Sequence, residues 1–138
     1  MSEEHFGKVR DYLSQLDVEI VEENPHESLF VVRDESRGIS SLLVDCEDQL
    51  LLVEQPIFRI AQDRAAIYKR LLKINRELVH GAFALDEDGQ LVLFRDTLQL
   101  QNLDLNELDA TINALALALA TYADELIDFA TPAQGDAP

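Results

Sequence analysis

The chain has 138 residues, a single cysteine, and 11 basic against 27 acidic side chains, giving a formal charge of −16. That length suits one domain with a real hydrophobic core. So acidic a surface repels phosphate backbones and anionic bilayers, which argues against nucleic-acid and membrane partners. One thiol, Cys46, allows no intrachain disulfide, as is usual for a cytoplasmic protein.

The start, Met1 to His5, lacks the basic and apolar regions of a signal peptide. No apolar run approaches the roughly 20 residues of a membrane span. Ser2 is placed to cap a first helix, Glu3–Leu16, whose Phe6, Val9, Leu13 and Leu16 share one face. The period then becomes that of strands. Val18 and Ile20 open a strand ending near Asn24-Pro25; Leu29–Arg33 and Ile39–Cys46 follow, separated by the polar turn Asp34 to Gly38. Residues 46–49 turn the chain into Leu50–Phe58.

A second helix is expected from about Gln62 or Asp63 to His80-Gly81, with Ile67, Leu71, Ile74 and Leu78 as its stripe. It feeds a hairpin of Ala82–Leu85 and Leu91–Phe94, signalled by the Asp-Gly pair at 88–89. Thr97–Leu103 reads as a connector or short strand. Asp104 or Asn106 caps a last helix, with Asp109 three residues beyond Asn106 in the manner of a capping box. Its stripe runs Leu108, Ile112, Leu115, Leu119, Tyr122 and Leu126, and Pro132 ends it. The order is α-β-β-β(-β)-α-β-β-α: one α+β domain over residues 1–130 with an antiparallel sheet, and a disordered tail over 131–138.

Three strand runs, Leu42-Leu43-Val44, Leu50 to Val53 and Leu91 to Phe94, are apolar on both faces, and such strands need cover on both sides. The stretch Ile112–Ala123 is apolar nearly all round, which predicts burial on more than one side. A second subunit supplying the missing cover is therefore expected, with Leu91, Leu93, Leu115, Leu119 and Tyr122 as the candidate dimer or groove surface.

Candidate chemistry is sparse. The acids Glu47, Asp48, Asp86 and Asp88 sit in turns and read as solvated; an EF-hand fails, because loop positions one and twelve fall on Ala84 and Arg95. Glu77 and His80 have the Glu-x-x-His spacing of di-iron bundles, but no second copy of that pattern occurs. Cys46 follows an apolar strand and reads as a core residue rather than a nucleophile. No phosphate-cradling or dinucleotide-binding glycine motif is present. Neither metal nor cofactor is expected, and the chain reads as no enzyme. The uneven feature is charge: Arg64, Lys69, Arg70, Lys73 and Arg76 place five of the basic residues on one helix. Arg64, Lys69, Lys73 and Arg76 are the candidate docking strip for an acidic partner, or else a solvated face paired with acids elsewhere.

With these elements in order, residues 37–48, Leu71–Phe94 and Asn102–Leu115 resemble segments of the YbjN-type, type III secretion chaperone-like (Tir-chaperone-like) bacterial family, over about Glu3 to Ala130. Secretion chaperones of this shape are small, acidic, cytosolic homodimers that hold an extended segment of a secreted partner along hydrophobic grooves. YbjN-type relatives are described instead as regulators of signalling or stress responses. The resemblance carries over no catalytic residue, and the first part of this chain holds an extra strand. It implies a non-enzymatic binding module for an extended peptide or sheet edge. A small-ligand sensor with a pocket between sheet and last helix is the alternative.

Overall fold

The computed structural model describes residues 3–131, so the cap at Ser2, the stop at Pro132 and the tail from 132 on lie outside the described residues. Helix α1 spans Glu3–Gln15 and buries Phe6, Val9 and Leu13. Four strands follow: β1 (Glu19–Asn24), β2 (Leu29–Asp34), β3 (Ile39–Glu47) and β4 (Leu50–Arg59). Helix α2 is Ala65–Glu77, then come β5 (Ala82–Leu85), β6 (Leu91–Gln99) and the 26-residue α3, Leu105–Ala130. All six strands form one antiparallel sheet in the order β1-β2-β3-β4-β6-β5. The α2 excursion lets β6 return beside β4, which leaves short β5 on the outside.

Strand alternation decides which side chains meet the helices. Phe30, Val44 and Val53 lie side by side in register, as do Val32 with Leu42 and Cys46 with Leu51. Gln55 with Phe94, Phe58 with Val92 and Phe83 with Phe94 continue the same face across β4, β6 and β5. Every residue of this set is buried. Phe6 of α1 stacks on Phe30 at 4.3 Å, Phe129 of α3 meets Phe58 at 6.2 Å, and Ile67, Leu71 and Ile74 of α2 join the same core. The helices thus form a single layer on one face. Asp96 also points to that face, opposite Val53; it is tolerated because buried Thr111 of α3 donates its hydroxyl to Asp96 Oδ2 at 2.7 Å.

Several boundaries differ from the sequence reading. α2 begins later than Gln62 because the Asp63 carboxylate accepts from the Tyr68 hydroxyl instead of capping, and Arg64 is the cap residue. It also ends earlier, with Leu78 already extended. Gly81 does take positive φ (74°), but its work is to turn the chain into β5 where it presses on the Phe94 ring. β6 runs on to Gln99 rather than stopping at Phe94, since its polar half, Arg95 to Gln99, pairs fully with Leu50 to Glu54. The capping box of α3 is Asp104 with Glu107; Asn106 and Asp109 fit the spacing, but Asp104 precedes the first turn. Tyr122 leaves helical geometry (φ −110°, ψ 15°) and kinks α3.

α3 bears on two further expectations. Its length and its best 18-residue mean hydropathy of 1.2 would let it cross a membrane by composition alone, although no single apolar run is long enough. Within one copy α3 is buried on one side only. Leu108, Ile112, Leu115 and Ala118 are core, while Leu117 between them is 68% exposed.

Candidate partner-binding surfaces

The sheet face away from the helices is the first uncovered surface. Leu29, Val31, Leu43, Leu52 and Leu93 are each half-buried there, and Leu91 pairs with Arg59 on the same side. The members of the two-sided runs therefore separate, with Leu42, Val44, Leu51, Val53, Val92 and Phe94 fully buried and their neighbours left half-open. Polar groups break up this apolar face. Glu54 and Arg95 form a cross-strand ion pair at 3.4 Å, and Asp45 stands between Leu29 and Leu52 in register. Partial burial, then the neighbouring charges of Glu47, Glu54 and Glu27, push the Asp45 carboxyl above the usual carboxylate range.

The second surface lies between α1 and the turn that joins β1 to β2. A groove of about 510 Å³ is lined by Glu3, Phe6, Gly7, Arg10, Pro25 and His26, among others. Gly7 keeps it open, for a Cβ there would meet nothing within 4 Å. Arg10 lies over the Phe6 ring at 5.2 Å and grips Glu23 of β1 through two nitrogens, the closer contact being 2.6 Å. That hydrogen bond holds the Glu23 carboxyl below its ordinary range. Arg33 similarly holds Glu19 at 3.0 Å, so two of the three β1 acids are internally balanced. The edge itself is interrupted by a bulge at Val21, which is 52% exposed.

A third surface is a cavity of about 350 Å³ between α3 and the link after α2, lined by Leu78, Val79, His80, Ala114, Leu117 and Tyr122 among others. Val79 is 86% exposed beside it. A hollow of about 240 Å³ between β4 and α3, lined by Ile57, Phe58, Leu119, Ala123, Leu126, Ile127 and Ala130, is where the sequence reading placed a ligand pocket. Its lining side chains are all apolar, so none of them offers a polar group to orient a ligand.

The five candidate dimer or groove residues do not form one patch. Leu91 and Leu93 are on the helix-free sheet face, Tyr122 lines the cavity beside Leu117, and Leu119 lines the β4–α3 hollow. Leu115 is a correction: it is fully buried in the subunit's own core, as the α3 stripe requires. Among the docking-strip residues, Lys69, Lys73 and Arg76 are exposed along α2. Arg64 is not one of that strip, because it is half-buried at the cap with its Nε buried. Arg70 pairs with Glu125 of α3 at 2.7 Å.

The remaining chemical candidates resolve into structural roles. Cys46 is buried, and loss of solvent followed by the charge of Asp45 pushes its thiol up to about 11, so the nucleophilic thiolate is withheld. His80 lies three residues beyond the last residue of α2, so Glu77 and His80 never share a helical face. Among the described residues no group of three or more His, Cys, Asp or Glu side chains could hold a metal. Asp86 accepts the backbone N–H groups of Gln90 and Leu91 at 2.9 and 3.0 Å, which lower its pKa and build the hairpin turn.

The family profile CesT_Tir_1 matches residues 2–132. Among solved structures, YbjN from E. coli is similar at 11% identity, with 91% of this chain and 95% of that chain covered and a TM-score of 0.66. The structure of the ExsC–ExsE complex holds a chain similar at 16% identity, TM-score 0.64, covering 88% and 95%. The type III secretion chaperone SycH from Yersinia pestis, solved with a stable fragment of YscM2, is similar at 16% identity, TM-score 0.53, covering 91% and 98%. No curated protein sequence matches. At these identities the structures show the shared fold.

Proposed function

We propose, for a chain that belongs to the CesT_Tir_1 family, that it is a non-enzymatic, cytoplasmic, chaperone-like binding module that holds an extended segment of another protein. The observation that carries the reading is the β1 edge, left without a neighbouring strand, with the Gly7 groove opening between α1 and the turn at the end of β1. A partner strand laid along β1 gains main-chain hydrogen bonds, and where it passes the β1–β2 turn its side chains reach the groove beside Phe6. Glu22 of β1, which is exposed and makes none of the described ion pairs, repels a second β1 but not a neutral or basic strand. Structures of similar chains in complexes, ExsC with ExsE and the chaperone SycH with a fragment of YscM2, support a protein partner. The partner's identity sets whether the module serves as chaperone or as signalling regulator.

The same reading makes the chain a homodimer. Two copies of charge −16 meet most readily where acids are absent, and α3 carries no charged residue from Ala110 to Ala123. Exposed Leu117 lies within that stretch and exposed Val79 across the cavity from it, so a second copy there covers apolar surface without opposing carboxylates. Light scattering of the native chain is expected to give twice 15.6 kDa, and Leu117→Asp to return it to one copy.

Gly7→Gln tests partner binding. It fills the groove from a helical position with free space, so the fold is kept. Proteins captured from native lysate by the wild type and identified by mass spectrometry should be lost with Gly7→Gln. Equal recovery on both, or recovery of nothing on either, would count against the reading.

A further inference from the structure

By topology β5 is as much an edge strand as β1, since only β6 pairs with it. By composition it is the more adhesive of the two. Its sequence Ala-Phe-Ala-Leu has no charge, and Leu72 and Leu85 beside it are 70% and 46% exposed. They border a cleft of about 270 Å³ shared with Tyr68, Leu71, Phe83 and Ala84. Uncharged apolar edges of this kind invite strand pairing.

The backbone on the outer side of β5 is nevertheless occupied. In an antiparallel strand each residue turns its N–H and C=O to the same side. Phe83 turns both away from β6, and there its N–H donates to Asn75 Oδ1 at 2.7 Å while its carbonyl accepts from Asn75 Nδ2 at 3.0 Å. One carboxamide on α2 thus takes both bonds that a neighbouring strand residue would take. Phe83 is central to a strand of four residues, and the next residue facing outward, Leu85, is the last before the turn. With Phe83 taken, an incoming strand has one residue left to pair with. Asn75 follows Ile74, which is fully buried, and its carbonyl accepts from Leu78 N–H, so the amide is held in place by the end of α2.

We infer that Asn75 closes the β5 edge and is the residue that confines strand addition to β1. The inference rests on the strand-holding function proposed above, but its test uses no partner. Asn75→Ala removes both bonds. Hydrogen exchange at the Phe83 amide, read by NMR, is expected to speed at least tenfold over wild type, and sedimentation at matched concentration to show species larger than the wild type's. Leu85→Pro in the Asn75→Ala background removes the remaining outward N–H and is expected to restore the wild-type size. Asn75→Leu, similar in size and uncharged, also removes both bonds; it is expected to enlarge the particle as well, and it provides the reading if circular dichroism shows Asn75→Ala unfolded. Wild-type size for whichever variant folds would overturn the inference, whatever becomes of partner capture.

Discussion

Gly81→Ala is the substitution that most directly tests how the end of α2 meets the sheet. Gly81 has φ 74°, where an L side chain costs about 1–2 kcal/mol. An added Cβ would also fall 2.7 Å from Phe94 Cε1, and Phe94 is fully buried, so the ring must move within a packed core at about 1–3 kcal/mol. The two costs together come to about 2–5 kcal/mol, which for a domain of this size lowers Tm by about 6–20 °C. Gly7→Ala is the internal control. It lies inside α1 with open space around it, so the change should raise stability by about 0.5–1 kcal/mol. Gly81→Asn separates the two costs, because Asn tolerates positive φ yet still carries a Cβ against the ring. Urea unfolding followed by circular dichroism reads all three, with m unchanged if only stability moves. A Gly81→Ala midpoint equal to wild type, or a Gly7→Ala midpoint below it, would refute the reasoning.

Other perturbations follow from buried polar groups and shifted acids. Thr111→Val, nearly isosteric, strips the hydroxyl from the part-buried Asp96 and should cost about 1–3 kcal/mol by urea titration; no loss would mean water replaces it. Native Cys46 should resist iodoacetamide at pH 8 and react on unfolding. Because its folded pKa is raised from 9.0 to about 11, its stabilising contribution is complete below pH 9. It is lost as pH rises to 11, an amount of about 3 kcal/mol that Cys46→Ala should abolish. Toward acid the sign reverses: Glu23, Asp34, Asp86 and Glu125 all have lowered folded pKa values. Their contribution is present above the normal carboxylate range and fades as pH falls through the folded values, with Asp45 opposing. Thermal unfolding between pH 7 and 3 should show the fall.

Element types were legible in the sequence because each rests on local signals. The spacing of Ile67, Leu71 and Ile74, the turn at Asp88-Gly89 and the alternation around Phe30 and Val44 all act within a few residues. Pairing order was not legible, since β6 joins β4 across some 40 residues and nothing in Leu91–Gln99 names its neighbour. The polar stretch Arg95 to Thr97 concealed half of that strand, because its partners Leu52 to Glu54 and the Thr111 hydroxyl that satisfies Asp96 come from elsewhere in the chain. The apolar excess on both faces of β3, β4 and β6 was legible as uncovered surface; the division of Leu91, Leu93, Leu119 and Tyr122 over different sides of the sheet was not. Asn75 carried a faint signal, an amide eight residues before an edge strand, but only the backbone geometry of Phe83 gives it meaning.

The two sheet edges are guarded by different physics, and the difference bears on where a partner can enter. β1 relies on Glu22, the one of its three acids outside the described ion pairs, and on a bulge. Repulsion by charge depends on what approaches: it is strong against another copy of this acidic chain, absent against a basic strand, and weakened by salt. β5 has no charge of its own, and a side-chain amide occupies its central backbone pair, a barrier indifferent to the sign of the newcomer. An edge meant to stay shut against everything needs the second kind of guard. An edge that must refuse its own kind and still admit a chosen segment can use only the first, so the proposed function puts the partner strand at β1, beside Glu22, rather than at the greasier surface around β5.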